Sequence, residues 1–212
     1  MGVSLIYVPS YAIVEYVASN PVNWLDQYRH MAKRGGVGDT AGVTPTPAVY
    51  EFLALYHHKK GLFTQREYAE WCFSQWQEWL SDKTDDQRRG VGVKLYRNFY
   101  PSMIDSLHVW AMMVESGGFH ACILDSTQDA IGKTDLTLVR SGISYRVALL
   151  IDSTNSVGDR RYKLAYRNTD NDLSCIEIRL PLSREKAPGN KRWYLPADVL
   201  DAMATLPLLE GR

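Results

Sequence analysis

Apolar positions along the chain change their period near residue 100. Upstream they recur every three or four residues, the spacing of one helix face. Residues 9–34 read as one or two helices, with Ser10 placed to cap YAIVEYVA and Asn20-Pro21 to open VNWLDQYRHMAKR. GGVGDTAGVTPTP, residues 35–47, then breaks any helix and reads as a Gly/Thr/Pro linker. Its glycines have no preceding strand and no GK[ST] ending, so a phosphate-binding loop is not indicated. Residues 48–60 (AVYEFLALYHHKK) are amphipathic at helical spacing, with Gly61 as the stop. Thr64 followed by Glu67 has the form of a capping box and opens QREYAEWCFSQWQEWL. Tyr68, Trp71, Cys72, Gln75, Trp76 and Trp79 share one face of that helix, as an aromatic core seam or as a surface on which bases stack. SDKTDDQRRGVGVKLYRNFYP is charged and rich in turn residues. It fits a surface loop anchored by its aromatics, or a backbone-binding patch in which Arg88, Arg89, Lys94 and Arg97 interleave with Tyr96, Phe99 and Tyr100.

From Pro101 the pattern mixes periods. MIDSLHVWAMMVES predicts a helix with Ile104, Leu107, Val109, Trp110, Met113 and Val114 mostly inward, ended by Gly117-Gly118. FHACIL is a short strand. Leu136–Val139 and Tyr145–Ile151 are two apolar runs joined through Arg140–Ser144, with Gly142 as the turn residue of a β-hairpin. A basic segment, VGDRRYKLAYRN, follows. In Leu173–Leu182, Cys175, Glu177 and Arg179 alternate with Ile176, Ile178 and Leu180, the period of a strand. LPADVLDAMATL reads as a closing helix. The expected organisation is a helical region over 1–100 and an α/β (α+β) core over 101–212.

The bulk properties narrow the function classes. Lys+Arg 24 against Asp+Glu 24 leaves no net charge, so a nucleic-acid partner requires cations segregated into patches. Arg160, Arg161, Lys163 and Arg167 form one such cluster after the hairpin, or a basic helix face balanced by Asp159, Asp170 and Asp172. No apolar run reaches the roughly 18–20 residues of a membrane span. The apolar N-terminus lacks a basic start and carries Pro9 and Glu15, so no signal peptide is expected and the anticipated location is cytoplasmic. Cys72, Cys122 and Cys175 show neither CxxC nor Cys/His spacing, and read as buried small residues. The histidines form no HExxH or HxH arrangement, and no GxSxG elbow exists.

The succession of helix, strand, acidic loop, hairpin, basic segment and strand over residues 101–182 resembles the restriction-endonuclease-like superfamily, the PD-(D/E)XK nucleases. DAIGKTDLTLV is similar to the run of that family in which an acid precedes GK, a hydrophobic residue and the strand aspartate. The resemblance implies a mixed sheet flanked by helices, a site for one or two Mg²⁺ ions, and DNA as partner. It places Asp135 as the strand aspartate, Glu115 as the helix glutamate and Asp129 as the first acid of the run. Carboxylate-held Mg²⁺ suits phosphodiester hydrolysis because it activates water and neutralises the leaving alkoxide. Lys133 extends the backbone-binding cations.

The chain departs from the family where the second hairpin strand should carry D/E-x-K. Ala148, Leu149 and Leu150 stand there, and none can ligate a metal or move a proton. Asp152 shares the strand parity of Ala148 and Leu150, and Lys163 or Lys133 could supply an ammonium from outside the strand. Three functions follow as expectations. The first is a nuclease-like protein binding DNA through a degenerate or rearranged metal site. The second is an active Mg²⁺-dependent endonuclease using Asp135 and Glu115, with Asp152 and Lys163 completing its chemistry. The third is an accessory subunit, or homo-oligomer, docking through the aromatic helices of residues 48–80.

Overall fold

A computed structural model describes residues 6–19, 45, 48–124, 135–151 and 175–180. The chain divides into two compact units, Met1–Asp105 and Ser106–Arg212. The first is helical and the second carries a sheet, so the class is α+β. The expected helix at 21–34, the linker at 35–47 apart from Pro45, the acidic loop before Asp135, the basic segment and the closing helix lie outside the described residues.

The helical unit begins with α1 (Ser10–Ser19), whose first turn hydrogen-bonds back to the carbonyl of Pro9. Next comes α2 (Ala48–Lys59). Its end is a Schellman arrangement: Lys60 N–H donates to the His57 carbonyl and Gly61 N–H to that of Tyr56. The left-handed residue is Lys60, at φ 56°, and not the glycine expected to stop the helix. The capping box at Thr64 and Glu67 opens α3 (Gln65–Gln75), with reciprocal side-chain and backbone bonds. The helix expected to run on to Leu80 instead breaks at Trp76, and α4 (Gln77–Ser81) follows. Both Trp71 and Trp76 donate their indole N–H to the two carboxylate oxygens of Glu51, at 3.0 and 3.2 Å. That shared acceptor ties α2 to the break.

The turn-rich segment after residue 81 is helical, which corrects the loop expectation. Thr84 and Gln87 form a second capping box and open α5 (Asp85–Lys94). Gly90 and Gly92 are buried in it, and Gly92 faces the ring of Phe73 on α3. Both glycines lie inside a helix, so turn chemistry was the wrong inference from them. A π-helical turn, Leu95–Phe99, then leads into α6 (Tyr100–Ser116). Tyr100 N–H bonds to the Leu95 carbonyl, and Pro101 has no N–H to offer the carbonyl of Tyr96. The buried side chain of Gln65 supplies that donor at 2.6 Å.

At the centre of this unit Phe52, Phe63, Tyr68 and Tyr100 meet with ring centroids 4.8–6.1 Å apart. Burial of each contributes on the order of 3 kcal/mol. The hydroxyls of Tyr56, Tyr68 and Tyr100 donate to the carbonyls of Ile6, Ala48 and Phe63. No phenol is left without an acceptor among these three.

In the second unit, α6 is buried from Ser106 through Ala111, nearly all the way round. Val114, expected inward, is 40% exposed near the helix end. Gly117 closes the helix at φ 63°. The sheet comprises β1 (Ala121–Ile123), β2 (Leu136–Arg140), β3 (Ile143–Ile151) and β4 (Cys175–Leu180), in that spatial order. The first three pair antiparallel, and β4 runs parallel to β3. Ser141 and Gly142, at φ 50° and 78°, make the two-residue turn of the β2–β3 hairpin. Leu136, Leu138, Tyr145 and Val147 alternate into the core, and Trp110 Nε1 donates to the Cys122 carbonyl at 2.9 Å, fastening α6 to β1.

Candidate functional site at the hairpin entry

Asp135 stands one residue before β2 and is only 6% exposed. Its N–H donates to the Val147 carbonyl at 2.9 Å, although Val147 already pairs with Leu136. Two residues of one strand thus oppose one residue of its partner, as in a β-bulge, a device that re-aims a side chain at a sheet end. A carboxylate is buried at a cost of several kcal/mol unless it is hydrogen-bonded, paired or bound to a metal. An isolated solvated turn aspartate does not meet that description.

Glu115 lies on the exposed last turns of α6, two helical turns beyond His108. Burial of the His108 imidazole pushes its pKa down to about 4, and the charge of Glu115 opposes that shift. Among the described residues, no three His, Cys, Asp or Glu side chains gather in a group able to hold a metal ion. Asp129, Asp152, Lys133, Arg160, Arg161, Lys163 and Arg167 lie outside the described residues.

The cations of the helical unit divide. Arg88 directs its guanidinium to the carbonyls of Leu80 and Ser81 at 3.0 and 3.2 Å, closing the end of α4, with Asp85 3.9 Å away. Two of its donors are thus spent within the protein, while the side chain stays partly exposed. Arg89 is exposed beside Asp86 at 3.5 Å, and Lys94 is half-buried in the last turn of α5. Arg97 falls in the π turn, and its side chain is not described. The aromatic face of α3 is an interior one: Tyr68, Cys72 and Trp76 are buried, while Gln75 is exposed.

His120 is remote from the acid. Its N–H donates to the Val139 carbonyl, and its Nδ1 accepts from Ser141 N–H, at the turn end of the hairpin. Five residues of strand, roughly 17 Å, separate that end from Asp135. Burial pushes the Cys122 thiol up to about 11 and raises that of Cys72 further, which disfavours the nucleophilic thiolate at both.

Arg146 pairs with Thr137 on one side and Cys175 on the other. Ala148 pairs with Glu177 and Leu150 with Arg179. The alternation of β4 is visible in the sequence, but its partner strand was not inferable from it. Compared with family models, with curated proteins and with solved structures, the chain matches none.

Proposed function

We propose that the sheet-bearing unit is a nuclease-like scaffold that binds DNA, with a rearranged divalent-cation site beside Asp135. The observation that carries this reading is a buried carboxylate at the bulged entry of a hairpin. Further support comes from the element order: a long helix, a short strand, the hairpin and then a parallel strand. Mg²⁺ takes about six oxygen ligands, and Asp135 with Glu115 falls short of such a set among the described residues. We therefore derive no hydrolytic step from these side chains.

Binding of a short labelled duplex, measured with and without Mg²⁺, tests the proposal. Contacts to phosphates make affinity fall steeply between about 50 and 200 mM salt. Asp135→Asn is expected to abolish the Mg²⁺-dependent part of binding and to keep the salt-dependent part. Absence of salt-sensitive binding to duplex or single-stranded DNA would overturn the reading. Mg²⁺-dependent cleavage that disappears in Asp135→Asn and Glu115→Gln would replace it with the active endonuclease.

A further inference from the structure

We propose that His120 is a proton-operated clasp on the turn of the β2–β3 hairpin, closed while its imidazole is neutral and open once the ring is protonated. The carrying observation is a hydrogen bond in which the Ser141 N–H donates to Nδ1 of His120 at 3.2 Å. A ring nitrogen accepts only through its lone pair, so the bond fixes the neutral tautomer with its proton on Nε2. Protonation places a second N–H on the ring at Nδ1, and two donors then face each other. The contact joins residues 21 positions apart, so it ties β1 to the hairpin and is not local turn chemistry. It is independent of the DNA-binding reading and of Asp135, which stands at the other end of β2.

Backbone holds both halves of the clasp in place. His120 donates its own N–H to the Val139 carbonyl at 2.7 Å, one residue before the Ala121–Val139 pair, so the ladder itself sets the ring beside the turn. Arg140 and Ile143 form the last pair of the hairpin, and Ser141 and Gly142 lie beyond it. The ladder therefore offers the Ser141 N–H no partner, and the imidazole takes it. Ser141 also holds φ 50°, where a residue with a side chain is disfavoured, so the external bond falls on the least favoured residue of the turn. Arg140 flanks Ser141 on β2, and Glu115 is the last charged residue of α6 before β1. Among the described residues no charged side chain forms an ion pair with the imidazole. The ring is exposed, so solvent protons reach it directly. Because β1 is an edge strand of three residues, a fall in pH loosens the turn and the start of β1 first, while β2 and β3 stay paired.

The test is NMR of the full chain, following the Ser141 amide and the His120 ring together through a pH titration. The neutral ring is expected to show the Nε2–H tautomer, and the Ser141 amide proton to move upfield with the midpoint of the ring's own titration. Hydrogen exchange of that amide, corrected for its intrinsic pH dependence, should quicken about three- to tenfold on protonation, the loss of one hydrogen bond. The Ile143 amide, inside the ladder, should keep its protection across the same range, which separates opening of the clasp from unfolding. His120→Asn, whose side-chain oxygen accepts an N–H at every pH, should keep the protection and remove its pH dependence; His120→Leu should remove both. A proton on Nδ1 of the neutral ring, or a Ser141 amide that does not follow the ring, overturns the inference. So does loss of Ile143 protection together with that of Ser141, or a pH dependence that persists in His120→Leu.

Discussion

Buried polar side chains set the local stakes. Gln65 is the clearest case, because its buried amide donates to the carbonyl of Tyr96 in the π turn, one helix away. Gln65→Met, of similar length, should cost about 1–3 kcal/mol in chemical denaturation; a loss below a few tenths would mean that water fills the role. His108 makes a pH-dependent contribution. Its pKa is about 4 in the folded protein against 6.5 for an ordinary imidazole, chiefly through burial. Protonation therefore favours the unfolded chain, so the contribution is complete above pH 6.5 and is lost as pH falls from there toward 4, by about 3 kcal/mol. Urea midpoints at neutral and mildly acidic pH should drop less in His108→Gln than in wild type. An equal drop in both would assign the pH dependence to other groups. Lys60 holds a left-handed conformation at φ 56° in the Schellman end of α2. Lys60→Gly should raise stability by about 1 kcal/mol, read from the same denaturation curves.

The elements were legible wherever their signals were local. Thr64 with Glu67 is a capping box in sequence and in structure. The hairpin turn reads directly from its glycine, and Ser141 joins it in the left-handed region. Residues 85–94 were not legible, because Gly90 and Gly92 carry the weakest helix propensity short of proline. Packing overrode that propensity, with Gly92 set against Phe73. A Cβ built on Gly92 would meet the Phe73 ring at 3.7 Å, an ordinary van der Waals distance. Gly92→Ala is thus expected to stabilise α5 by about 0.5–1 kcal/mol, measured as a rise in the thermal midpoint. A fall instead would show that the helices cannot accommodate the methyl group.

For the whole molecule, balanced charge is the governing property. With Lys+Arg 24 and Asp+Glu 24, electrostatic repulsion between copies is least near neutral pH. Light scattering at fixed protein concentration should show most association near pH 7 and less on either side. A flat profile would point to segregated charge that keeps copies apart. The same neutrality means that affinity for DNA must come from local patches. Arg88 spends two of its donors on the end of α4. No helix among the described residues is long and apolar enough to cross a membrane.

Hydrophobic period, the capping box at Thr64, the hairpin and Asp135 at its mouth were all determined by the sequence, since each depends on residues within a few positions of one another. The π turn with its Gln65 donor, the break at Trp76 and the glycines of α5 were decided by tertiary packing between distant segments. Most consequential is the pairing of β3 with β4. Alternation in a strand specifies two faces but not which strand lies alongside, so the sequence displayed a gap at Ala148 and Leu150 and, some thirty residues later, Glu177 and Arg179, without relating them. Only the tertiary structure set β4 parallel to β3, with Glu177 in register with Ala148 and Arg179 with Leu150.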